Sequence, residues 1–317
     1  LRQMRDGHDD VGFSRALWKE LADQGFVAPH VPEDHGGLGM GFTDLCLILE
    51  AAGRQLVPEP FVATSLLGAY ALMLAGSDTQ KALWLPVLAT GDVVVALAFQ
   101  ETGSRYETDR VRTRAQADGS AWTLHGEKIQ VLGAPGADLL VVSARMGDRV
   151  GLFLVDPTSG GVSMSQQRRV DTQSAAIVSF DGVAATALGD PATGLAALDD
   201  VLDRARIGLA AQMVGGMTRA YELALAYLKE RKQFGVAIGS FQALQHRAAQ
   251  LFVQISLTRS TVLAAARTVD AEAQGRATRQ DVQLAASLAK ARATTAYTLV
   301  TNESVQMHGG VGVTDEY

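Results

Sequence analysis

YLKERKQFGVAIGSFQALQHRAAQL, residues Tyr227 to Leu251, is the stretch whose reading decides the fold. Glu230, Arg231 and Lys232 close one helical run, Gly235 permits a left-handed turn, and Ser240 is placed to cap the helix that follows. Basic residues at a helix C-terminus answer its dipole, and a glycine cap needs no ligand to explain it. The company at this corner asks for more: Arg231, Phe234 and two amides, Gln233 and Gln242. Arginine pairs bidentately with phosphate oxygens and amides read a ring edge, so the set suits a ligand carrying phosphates and an aromatic ring.

Working outward, the helical period persists on both sides of the corner. Leu195, Leu198, Leu202, Leu209 and Met213 form one apolar stripe, and Leu244, Ala248, Leu251, Phe252 and Ile255 form another. Helices over about 192–230, 240–274 and 278–307 follow, long enough for an antiparallel bundle. Gly208, Gly215 and Gly216 allow other backbones to come close. Upstream the pattern changes. VVVALAF (93–99), RVRTRAQA, AWTLHG, LLVVSAR, GLFLV and AAIVSF are short and β-branched or alternating, with Asp118-Gly119, Gly147-Asp148 and Gly160-Gly161 between them. That spacing predicts an antiparallel barrel or sandwich. Earlier still, Phe13, Leu17 and Leu21 sit at helical spacing, with Asp10 as a cap and Gly25 as a stop, and further apolar segments lie between Phe42 and Leu88. The expected organisation is α+β: a helical domain over 1–91, a β domain over 92–190 and a helical bundle over 191–317.

Composition limits the function classes. The 317 residues, 47% hydrophobic, can bury a large core in two or three domains. A formal charge of −6 without a long basic run argues against nucleic acid as a partner. The longest apolar stretches fall short of the ~20 residues a membrane helix needs, so no membrane insertion is expected. Cys46 is the single cysteine; no internal disulfide and no clustered metal ligands are expected, and a cytoplasmic setting fits best. LRQMRDGHDD has no initiator Met and reads as the interior of a longer chain.

Two motifs carry a family resemblance. The Tyr227–Leu251 stretch closely resembles the signature of the acyl-CoA dehydrogenases, and SVQMHGGVG, residues Ser304 to Gly312, is similar to that family's second cofactor motif. The order helical, β, helical also matches, so the resemblance spans nearly the whole chain. It implies the acyl-CoA dehydrogenase fold, with FAD between the β domain and the C-terminal bundle and its adenosine end crossing into a neighbouring subunit. By that resemblance Arg231 holds the FAD pyrophosphate, Phe234 packs beside it, and Gln233 and Gln242 offer polar contacts. Gln306, Gly309 and Gly310 reach toward the pyrophosphate and adenosine. His308 is expected to support the turn rather than to act as acid or base. The resemblance further implies an acyl-CoA substrate and a homo-oligomer or a heterotetramer with a second acyl-CoA dehydrogenase subunit. The expected electron acceptor is an electron-transfer flavoprotein.

The correspondence weakens in the β domain. Where relatives carry Thr-Glu-Pro and then Gly-Ser-Asp, this chain has FQETGSRYET, and in KIQVLGAPG Gln130 and Leu132 stand where relatives place a flavin-covering Trp and a flavin-approaching Thr. One family position for the catalytic carboxylate, just before an Arg in the first long bundle helix, is Ala205 here. The other lies well beyond the Gly-Gly motif, past Tyr317. Asp203 is rotated about 200° from Ala205 on a helix and is expected to be exposed. Asp315 and Glu316 are expected to be structural. No base is therefore assigned. Either it lies in a further C-terminal segment, or the chain is one subunit type of a heteromeric dehydrogenase, resembling small subunits that act on pimeloyl-CoA or steroid side-chain thioesters. The alternatives are a non-catalytic partner subunit that supports FAD, and a flavin-dependent monooxygenase or oxidase on the same fold.

Overall fold

The computed structural model describes residues 11–119, 121–167, 169–171 and 173–314. The expected cap at Asp10 and the acids Asp315 and Glu316 lie outside the described residues. The chain divides into two compact units: Pro58–Ala205 joins the residues before Phe42, and Phe42–Val57 joins the residues from Arg206 onward.

In the first unit, helix α1 (Arg15–Asp23) is capped by Ser14, whose hydroxyl accepts from the Leu17 amide. It buries Trp18 and Ala22 while Leu17 is exposed, so the apolar face lies one residue on from the expected stripe. Trp18 meets the Phe61 ring edge-on at 5.2 Å. Two further helices of this unit, Ala69–Ala75 and Asp78–Ala89, follow the π-helical turn Phe61–Gly68. The second of them starts with a Ser77/Gln80 capping box.

The strands are β1 (Val95–Ala98), β2 (Arg114–Asp118), β3 (Ala121–Leu132), β4 (Leu139–Met146), β5 (Arg149–Val155), β6 (Val162–Gln167) and β7 (Ala175–Ala187). Pairing runs β4–β2–β3–β7–β5 and returns from β5 to β4, which closes the barrel and leaves those strands without a free edge. The pairing is largely antiparallel; β1 adds to β4 in parallel, and β2 meets β4 in parallel at Arg114–Arg145. Leu124, Leu140, Val142, Phe153, Val178, Phe180 and Val183 fill the interior. Strand β6 was not among the expected segments. Its sequence, VSMSQQ, alternates only over Val162 and Met164, and it lies against β7 alone with most of its side chains in solvent.

The second unit holds α2 (Phe42–Gln55), most of α5 (Gly194–Glu230), the short hairpin β8 (Lys232–Gln233) and β9 (Val236–Ala237), α6 (Gln242–Ala273) and α7 (Arg279–His308), where α3 and α4 denote Ala69–Ala75 and Asp78–Ala89. The three long helices fall within about two residues of their expected bounds. Helix α6 buries Ala248, Leu251, Ile255, Thr258, Val262, Ala265 and Val269, and α7 buries Val282, Ala286, Ala289, Ala293, Ala296 and Val300. Apart from Ala266, which is buried beside Ala265, both runs alternate steps of three and four, the heptad spacing of a helix–helix seam. Phe252 was expected in the stripe but is exposed, because it sits about 100° around the helix from Leu251, outside the seam.

Helix α2 is held to the bundle by charge and by backbone contact. Asp270 of α6 accepts from the Phe42 amide at 2.5 Å and the Thr43 amide at 3.1 Å, capping α2 from 228 residues away. Arg259 pairs with Glu50 and Arg54 with Glu222. At the crossing of α2 and α5, a Cβ on Gly215 would lie 1.9 Å from the Glu50 carbonyl oxygen, and one on Gly53 would lie 2.0 Å from that of Gln212. Neither clash can be relieved by a side-chain rotation. Gly215→Ala is accordingly expected to lower stability by about 2 kcal/mol, read as a fall in the thermal midpoint. An unchanged midpoint would show that the two helices can part without cost.

Candidate functional site

The corner quoted at the outset lies entirely in the second unit. Its hairpin turns on Phe234 and Gly235, both at positive φ, 54° and 83°. Paired positive angles make a type I′ turn, the form whose twist matches a tight hairpin. Glycine takes the second position freely, whereas a phenylalanine there is strained. The strain holds the Phe234 ring 92% exposed, edge-on to Phe241 at 6.2 Å. The ring is thus presented to solvent at a backbone cost.

Arg231 continues from α5, its amide donating to the Tyr227 carbonyl at 2.9 Å, while its exposed guanidinium has no protein partner among the described residues. Gln242 opens α6 and faces solvent. Gln233 is exposed but turns its amide back to the Lys232 carbonyl, which leaves its oxygen as the outward group. Ser240 does not cap α6: the N-cap is Phe241, and the Ser240 hydroxyl donates instead to the Ala237 carbonyl, closing a 3-10 turn. The turn consumes the hydroxyl because it needs that bond before the helix begins.

The second motif ends α7 at the same place. His308 is buried, stacks on Tyr227 at 4.8 Å, and its Nδ1 lies 2.7 Å from the Ser304 carbonyl. A carbonyl can only accept, so Nδ1 carries the proton and the ring serves as a brace between α5 and α7. Tyr227 stands one turn before Arg231. The His308–Tyr227 stack therefore brings the two motifs, 70 and more residues apart in sequence, to one end of the bundle. Gln306 is exposed there. A Cβ on Gly309 or Gly310 would meet nothing within 4 Å, and Gly309 has φ 64° and ψ −144°, a region that side chains avoid. Open ground over bare backbone, an unpaired guanidinium, an outward ring and free amides make a set that fits a dinucleotide's pyrophosphate and aromatic ring.

In the first unit, the segment after β1 is organised by a buried ion pair that the sequence reading did not pick out. Glu101 accepts from the Arg112 and Thr113 amides at 2.6 and 3.0 Å, from the Thr113 hydroxyl at 2.8 Å and from Lys128 Nζ at 2.6 Å. Lys128, on β3 and fully buried, also donates to the Ser143 hydroxyl at 2.9 Å. Burial raises the Glu101 carboxyl, but the Lys128 charge and the converging donors outweigh it and hold the group below its usual range. Burial dominates at the other partner and lowers Lys128 to about 8, with Glu101 opposing. The two shifts point opposite ways for ion-pair strength; the donor geometry around Glu101 argues for a charged pair at neutral pH. The available signal was parity: Lys128 falls on the same face of the alternating strand as Leu124.

Farther along β3, the ladder to β7 shifts register between Lys128 and Val131, and Gln130 sits at φ 52° with its side chain exposed. Leu132 is half-buried. An amide and an alkyl group offer neither a stacking platform nor a hydroxyl donor at the two positions where the resemblance led one to look for Trp and Thr. Tyr106 is almost fully exposed.

Ala205 is buried. Asp203, expected to be exposed, is only 1% exposed, because α5 is buried around its whole circumference here: Val201, Leu202, Arg204, Ala205 and Ile207 are buried as well. Helical phase separates exposed from buried residues only when one face meets solvent. Arg204 pairs with Asp200 at 2.9 Å and lies 5.5 Å from the Tyr70 ring centre. Glu59, also buried and flanked by prolines in the apolar run VPEPFVA, keeps one carboxylate oxygen without a hydrogen-bond partner among the described residues. Among the described residues no group of three or more His, Cys, Asp or Glu could hold a metal ion, and no helix is long and apolar enough to cross a membrane.

A helical segment, a closed β-barrel and a long-helix bundle whose end gathers phosphate- and ring-binding groups describe a flavoprotein dehydrogenase architecture. The chain belongs to the acyl-CoA dehydrogenase family. Family models match in order: acyl-CoA dehydrogenase, N-terminal domain at residues 2–92, middle domain at 96–183 and C-terminal domain at 192–317. Among curated relatives, "Probable acyl-CoA dehydrogenase YngJ" of Bacillus subtilis is 30% identical over 98% of this chain and 83% of that protein. Among solved structures, a variant of the Tcur3481-Tcur3483 steroid ACAD is 35% identical with a TM-score of 0.88, covering 100% of this chain and 83% of the other. A glutaryl-CoA dehydrogenase from Mycobacterium smegmatis in complex with FADH2 is 25% identical with a TM-score of 0.87, covering 100% and 84%. The acyl-CoA dehydrogenases are FAD-dependent oxidoreductases, and this chain is one of that class.

Proposed function

We propose that this chain supplies one half of a shared FAD site in an acyl-CoA dehydrogenase assembled from two kinds of subunit, which removes the α and β hydrogens of an acyl-CoA thioester. The observation that carries this reading is the His308–Tyr227 stack, which gathers Arg231, Phe234, Gln242, Gln306, Gly309 and Gly310 at one exposed end of the bundle. Groups this well suited to pyrophosphate, turned to solvent in a single chain, fit a cofactor shared with a second subunit. In such a site Arg231 would pair with the pyrophosphate, Phe234 would cover the ligand's flank, and the backbone at Gly309 and Gly310 would admit close approach. Gln233, with its amide nitrogen engaged, would offer its oxygen as an acceptor. Bound FAD would take the β-hydrogen as hydride.

The heteromeric form rests on what the chain lacks at positions the family uses. Ala205 cannot take a proton, and Gln130 and Leu132 cannot stack or donate a hydroxyl as Trp and Thr would. The name of the similar steroid ACAD joins two designations, Tcur3481 and Tcur3483, which supports both a two-component assembly and a bulky acyl group. An electron-transfer flavoprotein would accept the electrons.

Purification of the chain alone and together with the product of the adjacent gene tests the assembly, with flavin absorbance and acyl-CoA-dependent dye reduction as readouts. Activity is expected only from the mixed preparation; full turnover by the lone chain would sink the heteromeric reading. Arg231→Ala is expected to weaken flavin retention by about 2 kcal/mol, roughly 30-fold, the usual size of a charge-assisted contact. Stoichiometric flavin in that variant after gel filtration would reject the placement of the pyrophosphate.

A further inference from the structure

We propose that the barrel carries an anion site, distinct in its residues from the Arg231 corner, that binds a phosphate or pyrophosphate group through Arg110, Arg112 and Arg145. The three arginines line one pocket of about 350 Å³ together with Gly103, Ser104 and Val111. No carboxylate lines it. A volume at the lower end of the ~300–1,000 Å³ that encloses a whole small ligand suits the charged part of one.

Each arginine is presented differently. Arg145 is locked from β4: its Nε donates to the Val111 carbonyl at 2.8 Å and its Nη2 to the Asp109 carbonyl at 2.5 Å. Those two bonds hold the segment before β2 and leave Nη1 without a protein partner among the described residues. Arg112 is fixed at its backbone, where the amide donates to Glu101 Oε2 at 2.6 Å, while its guanidinium has no protein partner among the described residues. Gly103, at φ 85°, lies beside that guanidinium: a Cβ there would stand 3.9 Å from Arg112 Nη2. Arg110 pairs with Glu107 at 2.6 Å, but both side chains are more than half exposed. An exposed pair of this kind is worth little and exchanges readily for a better acceptor.

The charge balance favours an anion. Three guanidinium groups stand against two acids of the same loop, Glu107, which pairs with Arg110, and the exposed Asp109, whose carbonyl Arg145 engages, while Glu101 is turned inward to Lys128. Guanidinium forks match phosphate oxygens two at a time, and a concave arrangement of three can satisfy a doubly charged group that a single surface arginine holds only weakly. The phosphate could belong to the 3′-phosphate or pyrophosphate of a CoA thioester, or to free phosphate or pyrophosphate.

Isothermal titration of the purified full chain, with its partner subunit if it copurifies, tests this at low ionic strength with inorganic pyrophosphate as the probe. The wild type is expected to bind it, and the Arg110→Gln/Arg112→Gln double variant to bind ~10-fold or more weakly with an unchanged melting temperature. Glu107→Gln, which frees Arg110, is expected to bind more tightly than wild type. Titration with CoA then identifies the source. If CoA binding also weakens in the double variant, the substrate supplies the phosphate; if it is unaffected while pyrophosphate binding is lost, the anion is free. Both outcomes uphold the site. Absence of pyrophosphate binding by the wild type, or equal affinity in wild type and double variant, overturns it. Neither result bears on flavin retention, which reports on Arg231 separately.

Discussion

Glu101→Gln is expected to destabilise the first unit by about 3–5 kcal/mol, and Lys128→Met added to it to restore most of the loss. The single change strips from a fully buried ammonium its one carboxylate partner among the described residues and leaves Lys128 with the Ser143 hydroxyl at 2.9 Å and the Phe99 carbonyl at 3.4 Å. Neither compensates a charge. The amide of the new Gln also turns one donor toward the Thr113 and Arg112 amides, which have only acceptors to seek. With methionine at 128 the uncompensated charge is gone and an apolar side chain of similar length fills the space among the barrel's Leu and Val residues. Denaturant midpoints of the wild type, both single variants and the double variant close the cycle. A double variant as unstable as Glu101→Gln alone would show that the carboxylate matters through the loop it organises and not through Lys128.

Acid is expected to unfold the protein partly through His30. The ring is buried, stacks on Tyr70 at 4.8 Å, and has no hydrogen-bond partner for either nitrogen among the described residues; burial lowers it to about 3. In the unfolded chain it titrates near 6.5. Below 6.5 the unfolded state binds a proton that the folded state refuses, so stability falls as pH drops and the loss is complete near 3. From pH 7 to pH 4 this one residue is expected to remove about 3 kcal/mol. His30→Phe keeps an aromatic face toward Tyr70 and cannot titrate, so the carboxylates common to both proteins cancel in the comparison. Unfolding midpoints at pH 4, 5, 6 and 7 should decline less steeply in the variant. Parallel curves would mean that the ring opens to water before it is protonated.

Much of the architecture can be read directly from residue spacing. The last two long helices announce themselves because their buried positions, from Ala248 to Val269 and from Val282 to Val300, keep a three-four rhythm broken only by Ala266. The hidden parts share a cause: they depend on partners distant in sequence. Nothing local says that Asp270 will cap α2, that β6 will rest against β7 with polar side chains outward, or that Lys128 will find Glu101 inside a barrel. The burial of Asp203 was missed because helical phase assumes a solvent face that α5 lacks at that turn. At the Arg231 corner, the residue types and the family resemblance single out Arg231, Phe234 and the glycines. The backbone strain at Phe234 and the brace from His308 to Tyr227 were not legible there, since both are properties of packing.

The cap on α2 also sets a schedule for synthesis. Phe42 and Thr43 emerge from the ribosome 227 and more residues ahead of Asp270. At ~5–20 residues per second that interval is on the order of 10–45 s. Throughout it the helix carries Leu45, Cys46 and Leu49 with no bundle to cover them and no acceptor for its first amides. The nascent chain therefore has a defined window in which this helix is open to chaperones or to mispairing, and any truncation that removes Asp270 leaves it open permanently.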